Sequence, residues 1–176
     1  DLQRTLRAQA ARDGVMIDTG LVAKGLMAAV ETPLGSIAEG KRLADIPTSD
    51  RLTELTFDMP LHSSGVRPTA VQIGEVLLAH LGADDPIRKY AHELAEGRFT
   101  VDLAGHLQGS IDAVLRVADD AGKYRYLLVD YKTNRLHERG ATDPLAAYHP
   151  SLLPAAMAHS DYPLQALLYS VAVHRY

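Results

Sequence analysis

The chain has 176 residues, of which 47% are hydrophobic and 23% charged, with a formal net charge of −4 and no cysteine. That length suits one domain of roughly 100–200 residues, no run approaches the ~20 apolar residues of a membrane-spanning helix, and a chain without cysteine excludes disulfides, thiolate zinc sites and iron–sulfur clusters. The acidic balance counts mildly against general nucleic-acid binding, although acids that bind a cation reverse the local charge.

The hydrophobic pattern predicts an α/β chain. Asp18 and Thr19 are N-cap candidates for the second helix, Gly122 marks a hairpin turn, and Ser160 or Asp161 is expected to cap the last helix. In chain order we predict helices at 1–12 and 20–30, a strand at 51–61, helices at 69–82 and 84–97, strands at 106–118 and 124–133, and helical sequence from 151 to 176.

The stretch LLVDYKTNRL, residues 127–136, places two charges near the end of an apolar strand. Side chains alternate along a strand, so Asp130 and Lys132 should share one face, with Asp112 on the preceding strand of the hairpin. Two close carboxylates repel unless one is protonated or a cation lies between them, and oxygen ligands suit Mg²⁺ or Mn²⁺. Lys132 would then hold a phosphate oxygen or orient a water. For an isolated D-x-K, an ordinary ion pair at the rim of the sheet is the leading alternative.

Three motifs in order, GSIDAV, LLVDYKTN and YPLQALLYSVAVHRY, carry a family resemblance. Together they resemble the RecB-type nuclease domains of the PD-(D/E)XK superfamily, over most of residues 50–176. The resemblance implies a restriction-endonuclease-like core, with a mixed central β-sheet flanked by helices. It also implies an Mg²⁺-dependent DNA nuclease inside a RecBCD-type helicase–nuclease that processes double-strand breaks for recombinational repair.

The resemblance also implies roles for particular residues. Asp112 and Asp130 correspond to metal-binding acids, Lys132 to the lysine that positions or activates the nucleophile, and Gln165 and Tyr169 to the Q-x-x-x-Y helix. The Tyr131 carbonyl is a candidate further metal ligand, and Glu54 matches an acid that precedes the core. Thr133, Asn134 and Arg135 are candidates to contact DNA phosphates, with a solvated loop as an equal alternative.

The cofactor and partners implied are those of the family. Mg²⁺ is the expected ion, and Mn²⁺ or Ca²⁺ can replace it in binding. The expected partners are DNA, in single-stranded form, RecC- and RecD-like subunits, and a helicase part of the same chain. The expected location is the cytoplasm, with no membrane contact.

The sequence departs from the family at one ligand. RecB-type nucleases use a histidine on a helix upstream of the Glu54 strand, but the first histidine here is His62. His80 lies on the wrong side of that strand and is interpreted as a helix-surface or core-edge residue. The family's strand after the last helix is also missing here. We therefore expect a single nuclease domain that is a fragment cut at both ends. The alternatives are an inactive RecB-like module that binds DNA or a partner subunit, and a metal-free interaction domain with solvated acids.

Overall fold

The computed structural model describes residues 2–61, 67–99 and 105–176, and these confirm an α/β chain. Its strands form one sheet in the order β1-β2-β3, which is antiparallel where a mixed sheet was expected. The described elements are α1 Leu2–Asp13, α2 Thr19–Glu31, β1 Arg51–Pro60, α3 Ala70–His80, α4 Arg88–Ala95, β2 His106–Ala118, β3 Tyr124–Val129, α5 Leu153–His159 and α6 Tyr162–Arg175.

The residue contacts divide the chain into two compact units. The first comprises Asp1–Thr53 and Ala113–Val129, and the second comprises Glu54–Asp112 and Asp130–Tyr176. The single domain expected from the sequence stays a prediction. No helix within the described ranges is long and apolar enough to cross a membrane.

The first unit has its core under the β2–β3 hairpin. Ala113 pairs with Val129 and Ala118 with Tyr124 in the antiparallel register, and the predicted turn contains Gly122 at φ +76°. Asp18 caps α2 by accepting the amide hydrogens of residues 20 and 21, as predicted. The buried core cluster consists of Ala38, Ile46, Ala113, Leu115, Val117 and Leu127.

The second unit contains a close helix pair. Gly74 of α3 lies so near α4 that an added Cβ would be 2.4 Å from the Ala95 nitrogen and 2.8 Å from the Ala91 oxygen. Tyr90 and Leu94 of α4 are fully buried. Thr69 and Gln72 form a capping box at the start of α3, with Thr69 Oγ1 accepting the Gln72 amide at 3.2 Å.

One predicted helix start and one predicted capping bond were wrong in detail. Residues 84–97 were expected to be helical from the first acids, yet α4 begins at Arg88, because Asp85 closes a separate turn by accepting the Ile87 amide hydrogen at 2.9 Å. Asp161 occupies the N-cap position of α6, but its side chain makes no capping bond. Its carboxylate instead pairs with Arg98 at 3.1 Å.

The predicted strand at 124–133 is four residues too long, since β3 ends at Val129. The Tyr131 amide hydrogen is donated to the Asp112 carboxylate at 2.7 Å, so a side chain takes the donor that a longer ladder would need. Asp130 and Lys132 therefore lie in extended chain beyond the sheet. The argument that strand alternation places them on one face does not apply there.

Candidate active site

All the candidate site residues predicted from the sequence lie in the second unit, which comprises Glu54–Asp112 and Asp130–Tyr176. Asp112 stands in β2 and is half-buried. Its bond to the Tyr131 amide holds its carboxylate against the peptide that joins residues 130 and 131. The two acidic motifs, eighteen positions apart in the sequence, thus meet through one short hydrogen bond.

Asp130 and Lys132 are in direct contact, although neither lies in a strand. The Lys132 ammonium forms an ion pair with Asp130 Oδ2, with the side chains 30% and 22% exposed respectively. Asp130 Oδ2 is a buried atom that has no hydrogen bond in the described chain apart from this ion-pair contact. The alternative of an ordinary ion pair is therefore geometrically satisfied, and further contacts decide whether the pair does more.

Lys132 has further contacts from helix α6. Its Nζ donates to Gln165 Oε1 at 2.8 Å, and Gln165 Nε2 donates to the Tyr169 hydroxyl at 2.9 Å. Gln165 and Tyr169 share one helix face because they are four residues apart. The three side chains predicted separately from the DYK and Q-x-x-x-Y motifs thus form one connected chain.

Glu54 lies in β1 at a φ of +54°, which is uncommon for any residue with a side chain. Its carboxylate accepts a hydrogen bond from Ser110 Oγ on β2 at 3.3 Å. Gly109, within the predicted strand at 106–118, lies in β2. A Cβ on Gly109 would be 2.7 Å from the Phe57 ring, so an aromatic side chain packs closely against the backbone there.

A cleft of about 350 Å³ lies beside Gln165. The Phe57 and Tyr169 rings meet edge to face in its wall, with centroids 5.7 Å apart. At the neighbouring rim, hydrogen bonds from Gln108 and then His106 lower the pKa of the Asp58 carboxyl. The cleft is lined by Phe57, Leu107, Gln108, Gly109, Asp161, Leu164, Gln165, Leu168 and Tyr169.

The candidate DNA-binding residues follow Lys132 and are exposed. The Asn134 side-chain oxygen accepts a hydrogen bond from the Tyr162 hydroxyl at 2.7 Å, while Thr133 and Arg135 lie on the surface on either side of it. His80, interpreted as a helix-surface residue, is exposed on α3.

The carboxylate oxygens of Asp112 and Asp130 are ligands of the type that a hard cation prefers. Within residues 2–61, 67–99 and 105–176, no three histidine, aspartate or glutamate side chains are grouped so that they could hold a metal ion. Mg²⁺ does not need three, because it commonly binds one or two carboxylates together with waters and substrate phosphates. Asp112 and Asp130 supply two carboxylates of the kind that this mode of binding uses.

Sequence reasoning missed one member of this cluster. The Tyr162 ring lies against the Lys132 ammonium, with Nζ 4.3 Å from the ring centroid. The available signal was spacing, since Tyr162 stands three residues before Gln165 and so shares its helix face.

The fold is α/β, and its second unit carries an acid–lysine–glutamine cluster formed by Asp130, Lys132 and Gln165. The chain is 42% identical over 167 residues to the RecBCD enzyme subunit RecB of Mycolicibacterium smegmatis, covering 92% of this chain and 15% of that protein. It is 44% identical over 161 residues to RecB of Mycobacterium tuberculosis strain CDC 1551 (88% and 14%), and 28% identical over 151 residues to RecB of Escherichia coli (86% and 11%). No family model matches the chain.

The chain is therefore homologous to a segment of the RecB subunit, and the resemblance of the three motifs to RecB is confirmed. It spans about one seventh of the length of these mycobacterial relatives.

Proposed function

We propose that this chain is a PD-(D/E)XK-type nuclease domain that hydrolyses DNA phosphodiester bonds with Mg²⁺, as part of a RecBCD-type helicase–nuclease. The observation that supports this most is that Asp112 accepts the amide hydrogen of Tyr131, the residue between Asp130 and Lys132, which are themselves ion-paired. An ordinary rim ion pair would not need a second acid bonded to the backbone amide between its two members, or an amide oxygen on the lysine.

Each residue has a defined task in this proposal. When bound, Mg²⁺ supplies positive charge that polarises the scissile phosphate and favours ionisation of a water. Asp112 and Asp130 hold the ion, with the Tyr131 carbonyl and Glu54 as further candidate ligands. Lys132 donates a hydrogen bond to a phosphate oxygen or orients the attacking water, and it stabilises negative charge as the bond to the 3′-oxygen breaks. The product carries a 5′-phosphate.

The substrate and partners follow from the same family. A helicase separates strands, so we propose single-stranded DNA as substrate, with Thr133, Asn134 and Arg135 next to Lys132 as candidate phosphate contacts. RecC- and RecD-like subunits and a helicase part of the same polypeptide are the proposed partners, in the cytoplasm. Mn²⁺ or Ca²⁺ would replace Mg²⁺ in binding.

The first prediction concerns cleavage. Purified protein incubated with end-labelled single-stranded DNA and Mg²⁺ should release 5′-phosphorylated products, and Asp130→Ala and Lys132→Ala should each reduce the rate at least about 100-fold, the scale of losing a general acid–base or charge-stabilising group. Asp120→Ala and Lys123→Ala, in the exposed hairpin turn, are matched controls and should cleave at the wild-type rate.

Two results would redirect the proposal. Equal cleavage by the wild type, Asp130→Ala and Lys132→Ala would remove the assignment of these residues. DNA or Mg²⁺ binding without cleavage would favour the inactive RecB-like module, which the lack of a three-ligand group within the described ranges also allows.

A further inference from the structure

We propose that Tyr162 is a positioning residue for Lys132, acting through the face of its ring and oriented by Asn134. The inference rests on the proposed function, because it assigns Tyr162 a part in the same reaction. It goes beyond the motifs, which assign the first turn of α6 no task before Gln165.

The Lys132 ammonium is contacted from three directions. Asp130 contacts it as an anion, Gln165 Oε1 accepts one hydrogen bond at 2.8 Å, and the Tyr162 ring presents its π face at 4.3 Å. A cation within about 6 Å of an aromatic centroid is attracted by the negative face of the ring. A lysine has a flexible four-carbon stem, so each of these contacts narrows the positions that the ammonium samples.

The orientation of the ring is itself fixed. The Tyr162 hydroxyl donates to Asn134 Oδ1 at 2.7 Å, and Asn134 is two residues beyond Lys132. Tyr162 therefore contacts the segment after β3 twice, through its ring face at Lys132 and through its hydroxyl at Asn134. This segment lies beyond the sheet, so side-chain contacts of this kind take the place of a strand ladder.

The backbone of the same segment has a second anchor. The Tyr148 hydroxyl donates to the Asn134 carbonyl at 3.3 Å and accepts the Leu136 amide hydrogen at 3.2 Å. Tyr148 thus holds the main chain, whereas Tyr162 holds the reactive side chain. That division makes the effect of Tyr162 separable from general stability of the loop.

The second prediction tests this by kinetics. Tyr162→Leu removes the ring face and should lower kcat about tenfold while changing KM much less, because the Lys132 ammonium that it positions acts on the reacting phosphate. Tyr162→Phe keeps the ring and should stay within about threefold of the wild-type kcat. Tyr126→Leu, the same change at a tyrosine that is 60% exposed on β3, is the matched control and should leave kcat unchanged.

A cycle with Lys132 separates positioning from a structural role. If Tyr162 acts through Lys132, Tyr162→Leu should cause no further loss when added to Lys132→Ala. An equal tenfold loss in that background would overturn the inference, as would an unchanged kcat in Tyr162→Leu. Failure of the proposed function looks different, since Lys132→Ala would then cleave like the wild type or nothing would cleave.

A measurement without catalysis decides the inference even in that case. The Lys132 ε-methylene protons lie near the ring face, so NMR should show an upfield ring-current shift that Tyr162→Phe keeps and Tyr162→Leu loses. An unshifted Lys132 resonance in the wild type would overturn the inference, whatever the activity.

Discussion

Glu54 combines an unusual backbone with a candidate ligand. It is one of three described residues other than glycine with a positive φ, and it is the only one of these that lies in a strand. A side chain in this region costs about 1–2 kcal/mol relative to ordinary backbone. Such strain is concentrated at functional sites, where surrounding structure holds it in place. Its hydrogen bond from Ser110 is one visible part of that surrounding structure.

The third prediction follows from this strain. Glu54→Gly should raise the free energy of unfolding by up to about 1.5 kcal/mol, since about 1–2 kcal/mol of strain is relieved and about 0.5–1 kcal/mol is lost to glycine's flexibility. Denaturant unfolding measures this. Thr56→Gly, at an exposed position of the same strand without a positive φ, is the control and should instead lower stability by about 0.5–1 kcal/mol.

A further variant, Glu54→Gln, tests the proposed ligand role of Glu54. Glu54→Gln keeps the backbone strain and removes the charge, so it should leave stability near that of the wild type while weakening Mg²⁺ binding. If Glu54→Gly were destabilising to the same degree as Thr56→Gly, the backbone at residue 54 would not be strained in solution.

The α3–α4 pair depends on one missing side chain. Gly74 faces the Ala91 and Ala95 backbone, and backbone cannot move aside as the end of a flexible side chain can. Interiors are packed closely enough that one extra carbon forces neighbouring elements to shift. This close approach explains why a glycine, a poor helix former, stands in the interior of α3.

The fourth prediction compares two helical glycines. Gly74→Ala should lower the free energy of unfolding by about 1–3 kcal/mol through overpacking, measured by denaturant titration. Gly25→Ala in α2, where an added Cβ meets nothing within 4 Å, is the matched control. It should raise stability by about 0.4–1 kcal/mol through lower chain entropy when unfolded. Stabilisation by both changes would show that α3 and α4 are less closely packed than described.

At the level of elements, the sequence predicts those features that depend on local sequence pattern. Alternation predicted β1, the Gly122 turn predicted the hairpin, and the four-residue spacing placed Gln165 and Tyr169 on one face. The end of β3 was not predictable locally, because it depends on Asp112 taking the Tyr131 amide. Likewise, the contact between Tyr162 and Lys132 joins residues thirty positions apart, and no local pattern encodes it.

At the scale of the whole molecule, the proposed metal binding would be coupled to stability. A ligand that binds only the folded chain stabilises it by about 2.7 kcal/mol at 100 times its dissociation constant. Removing one of two carboxylates should weaken an Mg²⁺ site strongly, since neither waters nor a neutral amide replaces the lost charge.

The fifth prediction is therefore a stability measurement. Saturating Mg²⁺ should raise the thermal unfolding midpoint of the wild type, and a chelator should reverse the shift. Asp112→Asn and Asp130→Asn should show little or no shift, while the turn variant Asp120→Asn should behave like the wild type. An Mg²⁺ shift that persists in both site variants would place the ion elsewhere.

The hydrogen bonds between Lys132, Gln165 and Tyr169 run in one direction. An ammonium group can only donate, so Gln165 must turn its oxygen towards Lys132 and its amino group towards Tyr169. The Tyr169 hydroxyl therefore accepts a hydrogen bond from Gln165, and its own hydrogen can be donated to another group. Tyr169 lines the cleft beside Gln165, so a ligand in this cleft meets a hydroxyl that is free to act as a hydrogen-bond donor. A ligand that presents an oxygen acceptor is therefore favoured over one that presents an N–H group.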